Sequence, residues 1–181
     1  MKPSYEFCRR CEKIAVDQRR LLNRSPYDPL RGEELAQWHG VQLREPNTMP
    51  GDAREAATIV VAQSDWDAVL LPSLPNDVRI ILLRPHVSPA RRQSTIMHEI
   101  AHLLLGHDPL AWNEQTGGFE TRRKADETEA AYLGGCLQIP EVALRWAVQS
   151  YLTIGRTASH FGASERMVRY RADITRMSLR R

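Results

Sequence analysis

Residues 95–107, TIMHEIAHLLLGH, constrain this chain more than any other stretch. Apolar residues recur through the segment at helical spacing, which predicts a helix packed into a core. His98 and His102 stand four positions apart. On a helix such residues share a face and can turn imidazole nitrogens toward one metal ion. Glu99 follows His98 directly, so its carboxylate lies beside the pair rather than in line with it. A glutamate placed there can take a proton from a water at the metal, which is the chemistry of the H-E-x-x-H pattern. The plain alternative is a helix with two ordinary histidines and a solvated glutamate.

A metal site of this kind needs a third protein ligand and leaves one position open for chemistry. His107 lies nine residues after His98, whereas the extended pattern H-E-x-x-H-x-x-G-x-x-H places a histidine ten residues on, with glycine between. Those positions hold Asp108 and Leu105. His107 follows Gly106, and a histidine there suits the negative end of a helix. We therefore expect it as a helix-end residue. Glu129 is the preferred third ligand. It shares a helical face with Tyr132, Leu133 and Cys136, and a carboxylate aimed at a core needs a positive partner. Glu127 is a rival carboxylate that this spacing puts on another face. Asp126, one turn before Glu129, is a candidate for orienting a ligand histidine.

Three blocks of the chain resemble the ImmA/IrrE-type metallopeptidases. RPHVSPARRQSTIMHEIAHLLLGH is similar to that family's strand, basic turn and H-E-x-x-H helix. ETEAAYLGGCLQIP is similar to its E-A-x-x-F-A-x-x-L-x-x-P helix, in which the glutamate before the alanine is the third ligand; that glutamate falls on Glu129. ASHFGASERMVRYRADI resembles its closing helix pair. The blocks and their connections cover roughly residues 75–175. Leu133 stands where phenylalanine is common, Gly134 and Gly135 replace two alanines, and Gln138 and Ile139 replace Leu-Met. Each glycine weakens a helix by about 1 kcal/mol relative to alanine, and its missing side chain lets another backbone come close. The resemblance implies an α+β, zincin-like domain, mostly helical, with a small sheet, the H-E-x-x-H helix at its core and a helix-turn-helix-like tail. It also implies one Zn2+ per chain on His98, His102 and Glu129, with Glu99 catalytic. The implied substrate is a protein, often a helix-turn-helix transcriptional repressor, cleaved under stress or during mobile-element induction.

The chain has 181 residues, 42% of them hydrophobic, which is enough for one core. We expect a metallopeptidase domain over residues 1–140 and a helical segment over 141–181 that is part of the same unit. No apolar run reaches membrane-spanning length, and the charged N-terminus does not read as a signal peptide. Three cysteines are a poor basis for a disulfide framework. These features lead us to expect a cytoplasmic protein with no membrane partner. Cys8 and Cys11 lack a second ligand pair nearby and read as two thiols one helical turn apart. Net charge is +3, but residues 156–181 carry seven arginines against Glu165 and Asp173. Interleaved with Met167, Val168 and Ile174, they read as an amphipathic helix. Direct binding to nucleic acid is the less favoured reading.

Along the chain, helices are expected over 5–23, 29–39, 88–105, 124–139, 140–152, 155–162 and 164–178. Strands are expected over 41–43, 57–62, 68–71 and 78–83, and a turn over 75–77. Residues 108–123 are expected as a polar loop near the metal and a candidate lid. Tyr132, His107, Arg122 and Arg123 are candidates to share charge on a reacting carbonyl. The rival to an enzyme is a regulator that keeps the metal fold and binds DNA or a protein through its basic C-terminal helices. Such a module has no need of Glu99.

Overall fold

The structure is a computed structural model describing residues 3–63, 67–71, 78–108, 112–113, 115, 118–120 and 122–180. Helices α1 (Tyr5–Leu21) and α2 (Gly32–Trp38) lead into β1 (Val41–Arg44), then a 3-10 turn (Pro46–Thr48) and α3 (Gly51–Gln63). Strands β2 (Ala68–Leu70) and β3 (Arg79–Leu83) precede α4 (Pro89–Leu105). A short hairpin, β4 (Trp112–Asn113) with β5 (Gly118–Phe119), separates α4 from α5 (Lys124–Gln138). Helices α6 (Glu141–Gln149), α7 (Ile154–Phe161) and α8 (Glu165–Thr175) close the chain. The three-stranded sheet has the order β1-β3-β2, with β1 parallel and β2 antiparallel to β3. The fold is thus α+β and mainly helical, as expected. No described helix is long and apolar enough to cross a membrane.

One expected strand is a helix. Residues 57–62 were expected extended because Thr58, Ile59, Val60 and Val61 favour strands. They lie inside α3, where Ala57 and Val61 occur at i and i+4 and pack on Val69 and Leu82 of the sheet. Burial of one helical face outweighs the local β preference. The loop expected over 108–123 contains the β4–β5 hairpin. Much of that lid candidate, and the turn expected over 75–77, lies outside the described residues.

The main core joins α1, α2, the sheet, α4 and α5 through Leu35, Ile81, Ile96, Met97, Ile100, Leu133 and Leu137. Ile139, Leu144, Ala158, Phe161 and Val168 form a second cluster among α6, α7 and α8. Two buried arginines tie the parts together. Arg19 donates to the carbonyls of Ala15, Asp28 and Gln138. Arg171 donates to the Ile139 carbonyl and to Glu12, which also accepts from the Glu141 N–H at 2.7 Å. The residues joining α7 to α8 are Gly162, with φ of 61°, Ala163 and Ser164. The Ser164 hydroxyl caps α8 by accepting from Met167 N–H.

Candidate metal centre

Helix α4 begins where the sequence places it. Ser88 accepts from the Arg91 N–H, and Pro89 fits the first turn, where no N–H is needed. Gly106 ends the helix with φ of 71°, a conformation glycine adopts without strain. Three contacts hold α4 between those ends. Gln93 is buried; its Nε2 donates to Leu30 O and its Oε1 accepts from Gly32 N, both at 2.7 Å. The second contact is at Gly134 of α5, where an added Cβ would stand 3.2 Å from His98 Cα and 3.3 Å from Met97 O. Glycine here lets the two helix backbones meet beside the first histidine. The third contact is the Leu70 N–H of β2, which donates to Glu99 Oε2 at 3.0 Å.

His98, Glu99 and His102 bring their donor atoms within 4.8 Å of one another. His98 Nε2 and His102 Nε2 are 3.1 Å apart. The carboxylate that meets both histidines belongs to Glu127. Its Oε2 is 3.0 Å from His98 Nε2 and its Oε1 is 3.4 Å from His102 Nε2. The expectation that Glu127 faces away from the histidines is therefore corrected. Glu129 is not buried in the core; its side chain is 41% exposed and its Oε2 lies 3.4 Å from His107 Nε2. Glu127, Gly134 and Gln138 occupy one face of α5, and that face lies on α4. Gln138 Nε2 donates to Ser94 Oγ at 3.4 Å, one turn before His98. Tyr132, Leu133 and Cys136 occupy the other face, and Tyr132 packs on Phe7 of α1.

His107 does more than end the helix. Its Nδ1 is 2.9 Å from His102 Nδ1, and its ring is largely enclosed. One placement of protons serves the whole chain of contacts. His102 donates from Nδ1 to His107 Nδ1, and His107 donates from Nε2 to Glu129. The lone pair of His102 Nε2 is then left facing His98 and Glu127. A histidine that binds a metal commonly uses its second nitrogen in this way. Asp126 is not part of the group; it pairs with Arg123 at 2.9 Å.

Electrostatics divide the carboxylates. Burial, the main cause, raises the Glu99 pKa; the nearby His98 and Arg122 and the Leu70 N–H oppose it in part. Glu127 is held well below the usual carboxylate range by its contacts to His102 and His98. His102 is pushed down to about 4, chiefly by burial, and is neutral near pH 7. Two imidazole nitrogens and an ionised carboxylate meeting at one point form a donor set suited to a divalent metal. The residues present therefore fit such an ion.

A groove of about 600 Å3 opens beside this group, with His98, Ser94, Gly134, Gln138, Met167 and Tyr170 among its lining residues. The thiols of α1 play no part in the site. Cys8 and Cys11 are free, Cys11 is buried, and both lie on α1 as the sequence implies.

A deep helical core, a small sheet and an H-E-x-x-H helix faced by a carboxylate from the next long helix define a zincin-like domain of metallopeptidase type. Residues 53–173, more than half of the chain, match the family model described as the IrrE N-terminal-like domain, a peptidase family. The chain belongs to that family. No curated protein matches it.

Proposed function

We propose that this protein is a zinc-dependent endopeptidase acting on a separate protein. The convergence of His98 Nε2, His102 Nε2 and the Glu127 carboxylate carries this reading. In it His98, His102 and Glu127 hold the ion, and Glu129 supports His102 through His107. A bound zinc ion supplies a Lewis acid that polarises the carbonyl and makes water a better nucleophile. Glu99 accepts the proton as water adds to the scissile carbonyl carbon. It returns that proton to the peptide nitrogen as the C–N bond breaks. Its Oε2 is held by the Leu70 N–H, which fixes the carboxylate and leaves Oε1 for the proton. Burial makes the carboxylate more basic than one in water, which suits a general base. The groove beside His98 provides a path for an extended substrate segment.

The resemblance supports a transcriptional repressor as substrate, in a stress or mobile-element response within the cytoplasm. The alternative, a non-catalytic regulator using its basic C-terminal helices, loses part of its basis. Arg171 is fully buried on Glu12, and Arg169 pairs with Glu165 at 2.7 Å. A regulator also has no use for a buried, fixed Glu99.

The test is Glu99→Gln, compared with the unaltered chain for zinc content and for cleavage of co-expressed candidate repressors. Glutamine keeps the shape but takes no proton. The variant should retain one zinc per chain and lose about a hundredfold to ten-thousandfold in rate. Cleavage at the unaltered rate by a zinc-loaded Glu99→Gln protein would refute the mechanism.

A further inference from the structure

Arg122 stands just ahead of α5 with its guanidinium inside the site. Its side chain is only 5% exposed, and its Nη1 lies 3.9 Å from Glu99 Oε2. That separation is too long for a hydrogen bond. Its Nε and Nη2 are buried and have no acceptor among the described residues. A buried donor without a partner is costly, and in a folded protein it calls for an explanation.

Service to Glu99 alone does not explain it. Two other arginines of this chain show close, two-oxygen pairing with a carboxylate. Arg24 reaches both oxygens of Glu34 at 2.7 and 2.8 Å, and Arg123 reaches both oxygens of Asp126 at 2.9 Å. Arg122 instead stops short of Glu99 and keeps two donors unused. The other candidates to share charge on a reacting carbonyl are committed elsewhere. Tyr132 packs between Phe7 and the Arg171 guanidinium, His107 is bonded to His102, and Arg123 holds Asp126.

Resting on the peptidase reading, we propose that Arg122 binds the carbonyl oxygen of the scissile peptide and holds the negative charge that gathers there as water adds. A guanidinium offers N–H groups in a fixed plane, suited to an oxygen that gathers negative charge. The position is shielded from water, where a donor aimed at a developing oxyanion has its largest effect. The unpaired donors are thus completed by substrate. Their cost in the free protein is stability given up for a ready-made site.

The experiment uses zinc-loaded full-length chain, its Arg122→Gln and Arg122→Lys variants, and two probes. A phosphonamidate dipeptide carries a tetrahedral anion like the adduct of water and peptide. Acetohydroxamate is a small metal chelator with no such group. Zinc content, melting temperature and calorimetric Kd for each probe are measured. Arg122→Gln should keep its zinc, melt no lower than the unaltered chain, bind acetohydroxamate equally well and bind the phosphonamidate about a hundredfold more weakly. Arg122→Lys should recover part of that loss. Equal phosphonamidate affinity in the unaltered chain and Arg122→Gln overturns the inference and leaves the metal site standing. So does failure of the zinc-loaded unaltered chain to bind the phosphonamidate. Parallel losses of melting temperature and acetohydroxamate affinity in Arg122→Gln make Arg122 a structural residue and also overturn it. An unaltered chain that holds no zinc removes the peptidase reading, and this inference with it.

Discussion

Glu127 and Glu129 are two residues apart on α5, and exchanging each for glutamine should weaken zinc binding to very different degrees. Glu127 contacts both imidazole nitrogens, at 3.0 and 3.4 Å, whereas Glu129 contacts only His107, at 3.4 Å. A structural zinc held by four protein groups gains roughly 10–16 kcal/mol, which is about 3 kcal/mol for each ligand. Glutamine keeps an oxygen but loses the charge, so about 2–3 kcal/mol is the expected loss at Glu127. That corresponds to roughly a hundredfold in Kd. Partners in the outer shell of a metal site are worth about tenfold to a hundredfold. Glu129 acts one link further out, through His107, so about tenfold is the expected ceiling for Glu129→Gln. Competition with a chromophoric chelator at fixed pH measures both Kd values on purified proteins. An equal loss in the two variants, or a larger one in Glu129→Gln, refutes the assignment of Glu127 and restores Glu129 as third ligand.

Other outcomes follow from the packing. Gly134→Ala places a methyl group against the α4 backbone at His98, so it should cost about 1–3 kcal/mol in urea unfolding despite alanine's better helix propensity, and should weaken zinc binding because His98 is displaced. Gly135→Ala meets side chains, those of Arg171, Tyr170 and Met167, in place of backbone and should cost less in the same assay. Glu12→Gln leaves the fully buried Arg171 charge uncompensated and should lower stability by about 3 kcal/mol, read from the urea midpoint at unchanged slope. At pH 8 a thiol reagent should label Cys8 readily. Cys11 and Cys136 should be protected until guanidinium unfolds the chain, since both are enclosed; burial pushes Cys11 up to about 12 and raises Cys136 well above its ordinary value.

The metal helix could be read closely from sequence because every signal agreed. Ser88 and Pro89 mark its start, Gly106 marks its end, and the apolar spacing between them is unbroken. Residues 57–62 mislead because strand-favouring side chains hide a helical pair, Ala57 and Val61, whose value appears only when the sheet lies beneath it. The third ligand shows a subtler difficulty. Searching α5 for its most apolar face finds Tyr132, Leu133 and Cys136, and so Glu129. That face is real, but it packs on α1. The face turned to α4 carries Gly134 and Gln138, which look unremarkable by hydrophobicity. The signal at Gly134 is size. A glycine inside a helix marks where another backbone approaches, and Glu127 lies two turns before Gly134 on the same stripe.

That stripe also explains why this chain tolerates glycine in the middle of a helix. Glycine at Gly134 costs α5 about 1 kcal/mol of helix propensity. A side chain there would push α5 away from His98 and carry Glu127 with it. Glu127 sits at the N-terminal end of the same face, so a small separation of the helices at Gly134 would change its contacts with both histidines. The site therefore depends on how closely the two helices approach, as well as on which residues donate. The opposite end of α4 is controlled differently. There Gly106 reverses the chain, and His107 returns to bond His102. Loosening the helix contact should displace His98 and Glu127 while leaving the His102–His107 contact in place. Gly134→Ala and His107→Gln should consequently reduce zinc affinity by independent routes. Their effects should add to within about 0.5 kcal/mol in the double variant. A clear departure from additivity in the measured Kd values would show that the two supports act as one unit and would overturn this division of the site.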